Sequence, residues 1–267
     1  WVAGAVVERP APEASGPAMV IQLLLGFFLA YLLALVGTPM ARDAAIRFGV
    51  VDRPDGQLKN HSAPVAYLGG LAVFVAFLLS IGMTFAFDEE LLAMLLASTI
   101  VTMVGLIDDF GALTPKPKVI GQAVAVFVLL KAGIMLDIIY IPWWARIGLT
   151  IVWLVGMSNA FNLSDIMDGL ASGLGVIAGT YLLVVALING RMVVAFFTVA
   201  LIGALLGFLR FNFHPAEIYL GDCGSLFVGL TLGSLAMVMD YTAHNRLGFL
   251  APLFFLALPI ADTFFVM

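Results

Sequence analysis

Long apolar stretches separated by short polar turns run through almost the whole 267-residue chain. Nine of them, at about 20–40, 67–87, 90–107, 119–136, 147–162, 169–189, 192–211, 223–243 and 249–267, reach or approach the roughly 20 residues that carry an α-helix across a bilayer. The runs are apolar all round rather than along one stripe, as in helices surrounded by lipid. Glycines inside them allow close helix contact. The short alternating segments of a β-barrel are absent, and no fixed-period repeat is visible. The pattern predicts an all-α, polytopic membrane helix bundle with about nine transmembrane helices. Residues 1–18, loose in Pro, Ala, Glu and Gly, precede Met19 and the first run; they read as an N-terminal extension, with 19–267 as one transmembrane domain.

Composition agrees with this and narrows it. Hydrophobic residues make up 63% of the chain and charged residues 11%, against about 45–50% and about 25% in soluble domains. A net charge of -5 argues against nucleic acid as a partner. One cysteine excludes a disulfide framework or a Cys-rich metal site. The positions of the few charges carry more. Connections after spans one, three, five and seven hold Arg42, Arg47, Arg53, Lys59, Lys116, Lys118 and Arg210, seven of the 12 basic residues, which predicts that this side faces the cytoplasm. Nine of the 17 acids lie there too: Asp43, Asp52, Asp55, Asp108, Asp109, Asp165, Asp168, Glu217 and Asp222. One face of the bundle is expected to carry the chemistry.

Four constellations stand out on that face. Asp108-Asp109 ends the third run, with Lys116, Lys118 and Gln122 beyond it. Adjacent carboxylates repel unless a cation or proton lies between them, and lysines suit phosphate oxygens. A solvated helix terminus is the plainer alternative. Asn159, Asn162, Asp165 and Asp168 recur every three residues, close to one face if the segment stays helical. A helix cap at Asp165 or Asp168 would account for one of the four. Gly221-Asp222-Cys223-Gly224-Ser225 opens the eighth run, where a helix N-terminus can favour an anion; alone it is also an ordinary turn. The longest connection runs from Val51 through Lys59 and His61 to Gly69-Gly70, and His61 taken alone is a surface residue. Cys223 reads as a packing residue, and Asp262 as an acid within the last run.

Asp108-Asp109, Asn159-Ala160-Phe161-Asn162-x-x-Asp165-x-x-Asp168-Gly169 and Gly221-Asp222-x-Gly224-Ser225, in this order and in separate loops, resemble the polyprenyl-phosphate N-acetylhexosamine-1-phosphate transferases, glycosyltransferase family 4. The resemblance implies a ten- or eleven-helix enzyme of the bacterial cytoplasmic (inner) membrane. It implies a Mg²⁺-dependent cytoplasmic site, with Mn²⁺ as a substitute, and transfer of a sugar-1-phosphate from a UDP-sugar to undecaprenyl phosphate with release of UMP. A homodimer is compatible with it. By resemblance, Asp222 is the first metal ligand and Asp109 the second, and Asp108 deprotonates or positions the attacking lipid phosphate. Asn159, Asn162, Asp165 and Asp168 become nucleotide or sugar contacts, Tyr219 stacks on uracil, and Lys118 and His61 contact phosphate or nucleotide.

Val65-Ala66-Tyr67-Leu68-Gly69-Gly70 resembles the branch that uses UDP-GlcNAc more than the branch that uses UDP-MurNAc-pentapeptide, although Ala66 stands where a proline is usual and Ile166 where a glycine is common. The family's His-rich loop is expected beyond the ninth helix and so lies outside this sequence. Two other classes fit less well. A transporter would gather its polar residues at mid-membrane. An intramembrane aspartyl protease using Asp222 and Asp262 would leave Asn159 to Asp168 without a role.

Overall fold

In a computed structural model, residues 16–52, 65–84, 89–111, 113–136, 141–239, 241, 251–257 and 259–261 are described. They form α1 (Pro17–Phe48), β1 (Val51–Asp52), β2 (Val65–Ala66), α2 (Gly69–Thr84), α3 (Glu89–Asp109), α4 (Pro115–Lys131), α5 (Trp143–Ser164), α6 (Leu170–Ile188), α7 (Met192–Asn212), α8 (Gly221–Val238) and α9 (Ala251–Phe255). The fold is an all-α membrane bundle. The first eight expected runs each correspond to one of the helices α1–α8. Six of these (α1, α3, α5, α6, α7 and α8) are long and apolar enough to cross a membrane, while α2 is a shorter apolar helix. In the ninth run, of which residues 251–257 and 259–261 are described, the helix α9 covers five residues. Asp262 and His61 lie outside the described residues.

α8 and α7 occupy the centre. α3 and α5 pack on α8, α1 and α6 pack on α7, and α2 touches both. Because lipid is as apolar as a protein core, association in a bilayer rests on close packing and on polar bonds between helices. Both are present. The Ser98 and Thr231 hydroxyls meet at 3.2 Å between α3 and α8. Trp153 Nε1–H donates to the Gly233 carbonyl at 3.0 Å, tying α5 to α8. Ser80 Oγ donates to the Gly26 carbonyl at 2.7 Å, tying α1 to α2. Phe77 and Phe227 meet edge to face at 5.2 Å, and Phe77 and Phe197 at 5.5 Å, where α2, α7 and α8 converge.

The first turn of α8 is held especially close. A side chain at Gly105 of α3 would overlap the backbone of Asp222 and Cys223, so only glycine lets the two helices meet there. One residue before Asp222, Gly221 has φ +72°, a left-handed conformation that aims the chain into the helix. From the other side, β1 and β2 pair antiparallel (Val51 with Ala66, Asp52 with Val65), and Ala66 forms a parallel bridge to Ile218. The connections after α1, α3, α5 and α7 therefore meet around one point.

Candidate functional site

That point is the N-terminus of α8, whose first backbone N–H groups have no partners within the helix. They do not remain free. Asp109 accepts from Asp222 N–H at 2.8 Å through Oδ1 and from Cys223 N–H at 3.0 Å through Oδ2. Asp165 accepts from Gly221 N–H at 3.0 Å. Carboxylates from α3 and from the α5–α6 turn thus take the place that the sequence offered to an external anion. The plainer alternative of an N-cap at Asp165 or Asp168 does not hold, because the residue preceding α6 is Gly169 and no side chain caps that helix. Asp165 instead supports α8 from a distance. Burial raises its carboxyl well above the usual carboxylate range, and the nearby Asp109, Asp222 and Asp168 reinforce this against the Gly221 N–H.

With its backbone held, Asp222 turns its carboxylate the other way. It pairs with the Lys118 ammonium from the start of α4, and its Oδ1 accepts from Asn162 Nδ2 at 2.6 Å. Lys118 Nζ also lies 2.9 Å from Asp108 Oδ2 and donates to Asn162 Oδ1 at 3.3 Å. Asn162 Nδ2 reaches Ser225 Oγ at 3.0 Å. α3, α4, α5 and α8 each contribute a side chain to one polar cluster, in which a single ammonium bridges two partly exposed carboxylates. Asp109 and Asp165 stand close behind them. The local excess of negative charge and the set of hard oxygen donors suit a divalent cation where Asp108 and Asp222 converge. Among the described residues, no group of three or more His, Cys, Asp or Glu side chains is placed to hold a metal ion, and the Lys118 ammonium stands between Asp108 and Asp222, the two carboxylates a cation would meet there.

A second group flanks the cluster. Asp168 Oδ2 accepts from the Ala216 N–H at 3.1 Å and lies 2.8 Å from His214 Nδ1, which must carry the hydrogen because a carboxylate only accepts. Glu217 pairs with Arg42 at the end of α1. Asn212 Nδ2 donates to the Ile218 carbonyl at 3.0 Å and its Oδ1 accepts from the Ser172 hydroxyl at 2.9 Å, tying the loop to α6. Tyr219 donates its N–H to the Ala66 carbonyl at 2.8 Å, and its ring centroid stands 5.7 Å from that of Tyr67.

Asp108, Asp109, Asn162, Asp165, Asp222 and Lys118 are thus brought together, with Asp168 in the α5–α6 turn and Tyr219 in the α7–α8 connection. The regular three-residue stripe is not one helical face: α5 ends at Ser164, leaving Asp165 and Asp168 in a turn. Asn159 remains on α5, but its amide pairs with Gln122 Oε1 at 3.0 Å and with the Val155 carbonyl at 2.7 Å. It links α5 to α4 behind the site. Tyr67, Asn212, His214 and the Arg42–Glu217 pair lie in stretches marked from the sequence but were given no individual role there. Nothing local assigns one, since each acts through a partner that only the fold supplies.

Comparison with known proteins agrees with this architecture. The family described as glycosyl transferase family 4 matches residues 91–240, which span α3 to α8. A Bacillus subtilis (strain 168) protein named "Probable undecaprenyl-phosphate N-acetylglucosaminyl 1-phosphate transferase" is 32% identical over 254 residues, 92% of this chain and 71% of that protein. A phospho-N-acetylmuramoyl-pentapeptide-transferase of Halalkalibacterium halodurans is 35% identical over 251 residues, 82% of this chain and 74% of the relative. A decaprenyl-phosphate N-acetylglucosaminephosphotransferase of Mycolicibacterium smegmatis is 35% identical over 240 residues, 80% of this chain and 59% of the relative.

Proposed function

The chain belongs to glycosyl transferase family 4 and is a multi-pass membrane protein, and on that premise we propose that it transfers GlcNAc-1-phosphate from UDP-GlcNAc to undecaprenyl phosphate, releasing UMP. One observation carries this reading: Asp222, Asp108, Lys118 and Asn162 converge at a membrane-helix end, where a lipid phosphate and a nucleotide could meet. The relatives supply the reaction class, and the 92% coverage by a protein named for GlcNAc-1-phosphate transfer favours that donor.

The attacking oxygen belongs to the lipid phosphate. It forms a bond to the sugar-bearing phosphorus while the bond to the UMP oxygen breaks, and the leaving charge goes to UMP. A phosphate monoester has a second pKa near 6, so the nucleophile is already largely ionised at neutral pH and needs orientation more than deprotonation. Asp108 provides it by helping to hold the Lys118 ammonium, a cation suited to phosphate oxygens that would exchange one of its three present acceptors, Asp108, Asp222 or Asn162, for the substrate. Asp222 and Asp108 would hold Mg²⁺. Asp109 acts chiefly as the anchor that orients Asp222, since both of its oxygens serve the α8 backbone. Mg²⁺, when bound, neutralises charge developing on the phosphates in transfer. Asp165 and Asp168 contact the sugar or nucleotide from the α5–α6 turn, and Tyr219 contacts the uracil face.

An apolar groove of about 330 Å³ between α1 and α2 is lined by Gly37, Met40, Ala72 and Ala76 among others, and its lining ends at Ala41 and Leu71, next to Arg42 and Gly70, which bond Glu217 and Leu220 of the loop before α8. The groove suits a polyprenyl tail. The basic bias of the odd-numbered connections supports a site facing the cytoplasm of a bacterial cell.

The test offers UDP-GlcNAc, UDP-GalNAc and UDP-MurNAc-pentapeptide in parallel to the purified protein, with undecaprenyl phosphate and Mg²⁺. UMP release from UDP-GlcNAc is expected. Turnover of the pentapeptide donor alone would assign the chain to the other branch of its relatives, and no UMP from any donor would overturn the reading.

A further inference from the structure

Tyr67 and Tyr219 belong to one small patch of paired backbone. Tyr67 donates its N–H to the Val50 carbonyl at 3.2 Å. Tyr219 donates its N–H to the Ala66 carbonyl at 2.8 Å, and its own carbonyl accepts from Gly69 N–H at 3.2 Å. The next pair, Gly70 N–H to the Leu220 carbonyl at 2.8 Å, continues the register. Segments 66–70 and 218–220 therefore move as a unit, and the two tyrosines are fixed neighbours within it.

Their rings stand 5.7 Å apart and are tilted by 54°, a separation and tilt typical of an attractive aromatic pair. They are too close and too inclined to admit a flat ring between them. A base would therefore stack on an outer face of one ring, with the other ring packed behind it. Tyr67 is suited to the bracing role because its far end is tied down. Its hydroxyl donates to Asp52, a β1 carboxylate only 8% exposed. Tyr219 sits next to Leu220, Gly221 and Asp222 and so lies on the side of the phosphate cluster. Asp52 lies in β1, paired with Val65 of the strand that leads into Tyr67. Both phenols are shifted upward, chiefly by burial and then by the surrounding carboxylates, and stay neutral at working pH.

We infer that Tyr67 is a positioning residue for the donor nucleotide: braced by Asp52, its ring sets the orientation of the Tyr219 ring without itself stacking on the base. The inference deepens the proposed function and rests on Tyr219 as the uracil contact.

Steady-state kinetics on the purified protein tests it through variants at the three positions. Tyr67→Leu removes the brace and raises the KM for the UDP-sugar about tenfold, while kcat and the KM for polyprenyl phosphate stay within about twofold. Tyr67→Phe keeps the ring and raises the donor KM less, about threefold. Asp52→Ala has a similar effect, and Asp52→Asn, which keeps an acceptor for the hydroxyl, restores the wild-type value. The deciding measurement is the cycle with Tyr219→Leu. Once Tyr219 has lost its ring, Tyr67→Leu should have no further effect on donor KM. Additive effects would overturn the inference, as would equal rises in both KM values or a loss confined to kcat. A Tyr219→Leu variant with unchanged donor KM would remove the uracil contact itself and the inference with it. If the wild type turns over no UDP-sugar, the proposed function fails separately, and the same cycle is read from UMP binding by calorimetry.

Discussion

α1 and α7 are almost equally apolar, yet 17% of the apolar stretch of α1 is buried against 78% of that of α7. α8 is less apolar than either and is 83% buried. In water this order would be strange, because apolar surface drives burial. In a bilayer it is expected, since lipid accepts leucine as readily as a protein core does. Position in the bundle is then decided by side-chain size and by polar groups with partners. α8 carries Gly224, Gly229 and Gly233 on contact faces and Ser225, Thr231 and Ser234 in hydrogen bonds. α1 presents Ile21, Leu24, Phe28, Leu32 and Val36 outward. The central helix is the one whose start must be held still, because Asp222 lies in its first turn.

The largest effect is expected where α8 meets the chemistry. Asp222→Ala should lower UMP release from UDP-GlcNAc and undecaprenyl phosphate by at least about 10²–10³-fold, and leave the melting temperature in detergent nearly unchanged. Substantial Mg²⁺-dependent turnover would remove Asp222 from the site. Asp109→Ala separates support from chemistry on the same helix. It strips acceptors from two backbone N–H groups of α8, each worth about 1–3 kcal/mol when left unsatisfied in a buried setting. Activity and melting temperature should fall together, and Asp109→Asn should recover part of the stability. An Asp109→Ala protein that melts like the wild type would mean that the carboxylate does not anchor α8.

This pair also shows what the sequence made legible. The eight helices and the gathering of the odd-numbered connections follow from hydropathy and charge placement, whereas Asp108, Asp222, Asn162 and Lys118 were legible as one site only through the family resemblance of their separate motifs. The role of Asp109 follows from neither, because it depends on a contact 113 residues away with the α8 backbone. Local spacing predicted one stripe through Asp168. The turn after Ser164 broke it, and Gly169, with φ +73°, marks where the chain reverses into α6. Asn159 kept the predicted face but spends its amide on Gln122. Which helices lie inside was also hidden, since hydropathy in a membrane reports the solvent and not the neighbour.

A matched pair of glycines sharpens the contrast between centre and rim. A Cβ at Gly229 of α8 would overlap the Met157 carbonyl of α5, whereas one at Gly37 of α1 meets nothing within 4 Å. Gly229→Ala forces two backbones apart and should destabilise by about 1–3 kcal/mol. Gly37→Ala should be neutral or stabilising by up to about 1 kcal/mol, through helix propensity alone. Thermal unfolding in one detergent reads both, and equal losses would contradict the assignment of α8 to the centre and α1 to the rim.

The smallest effect belongs to the surface of α1. Leu24 is half exposed on the outward face, so in a bilayer its side chain exchanges contact with lipid tails rather than with other helices. Leu24→Ala in a soluble core would cost about 2–5 kcal/mol. Here it leaves no cavity, because lipid fills the space, and the change should stay within about 0.5 kcal/mol. Melting in detergent and in lipid nanodiscs checks this, since both supply fluid chains to the vacated volume. A loss approaching the core value in either medium would mean that Leu24 is covered by protein, and the rim of the bundle would have to be redrawn around α1.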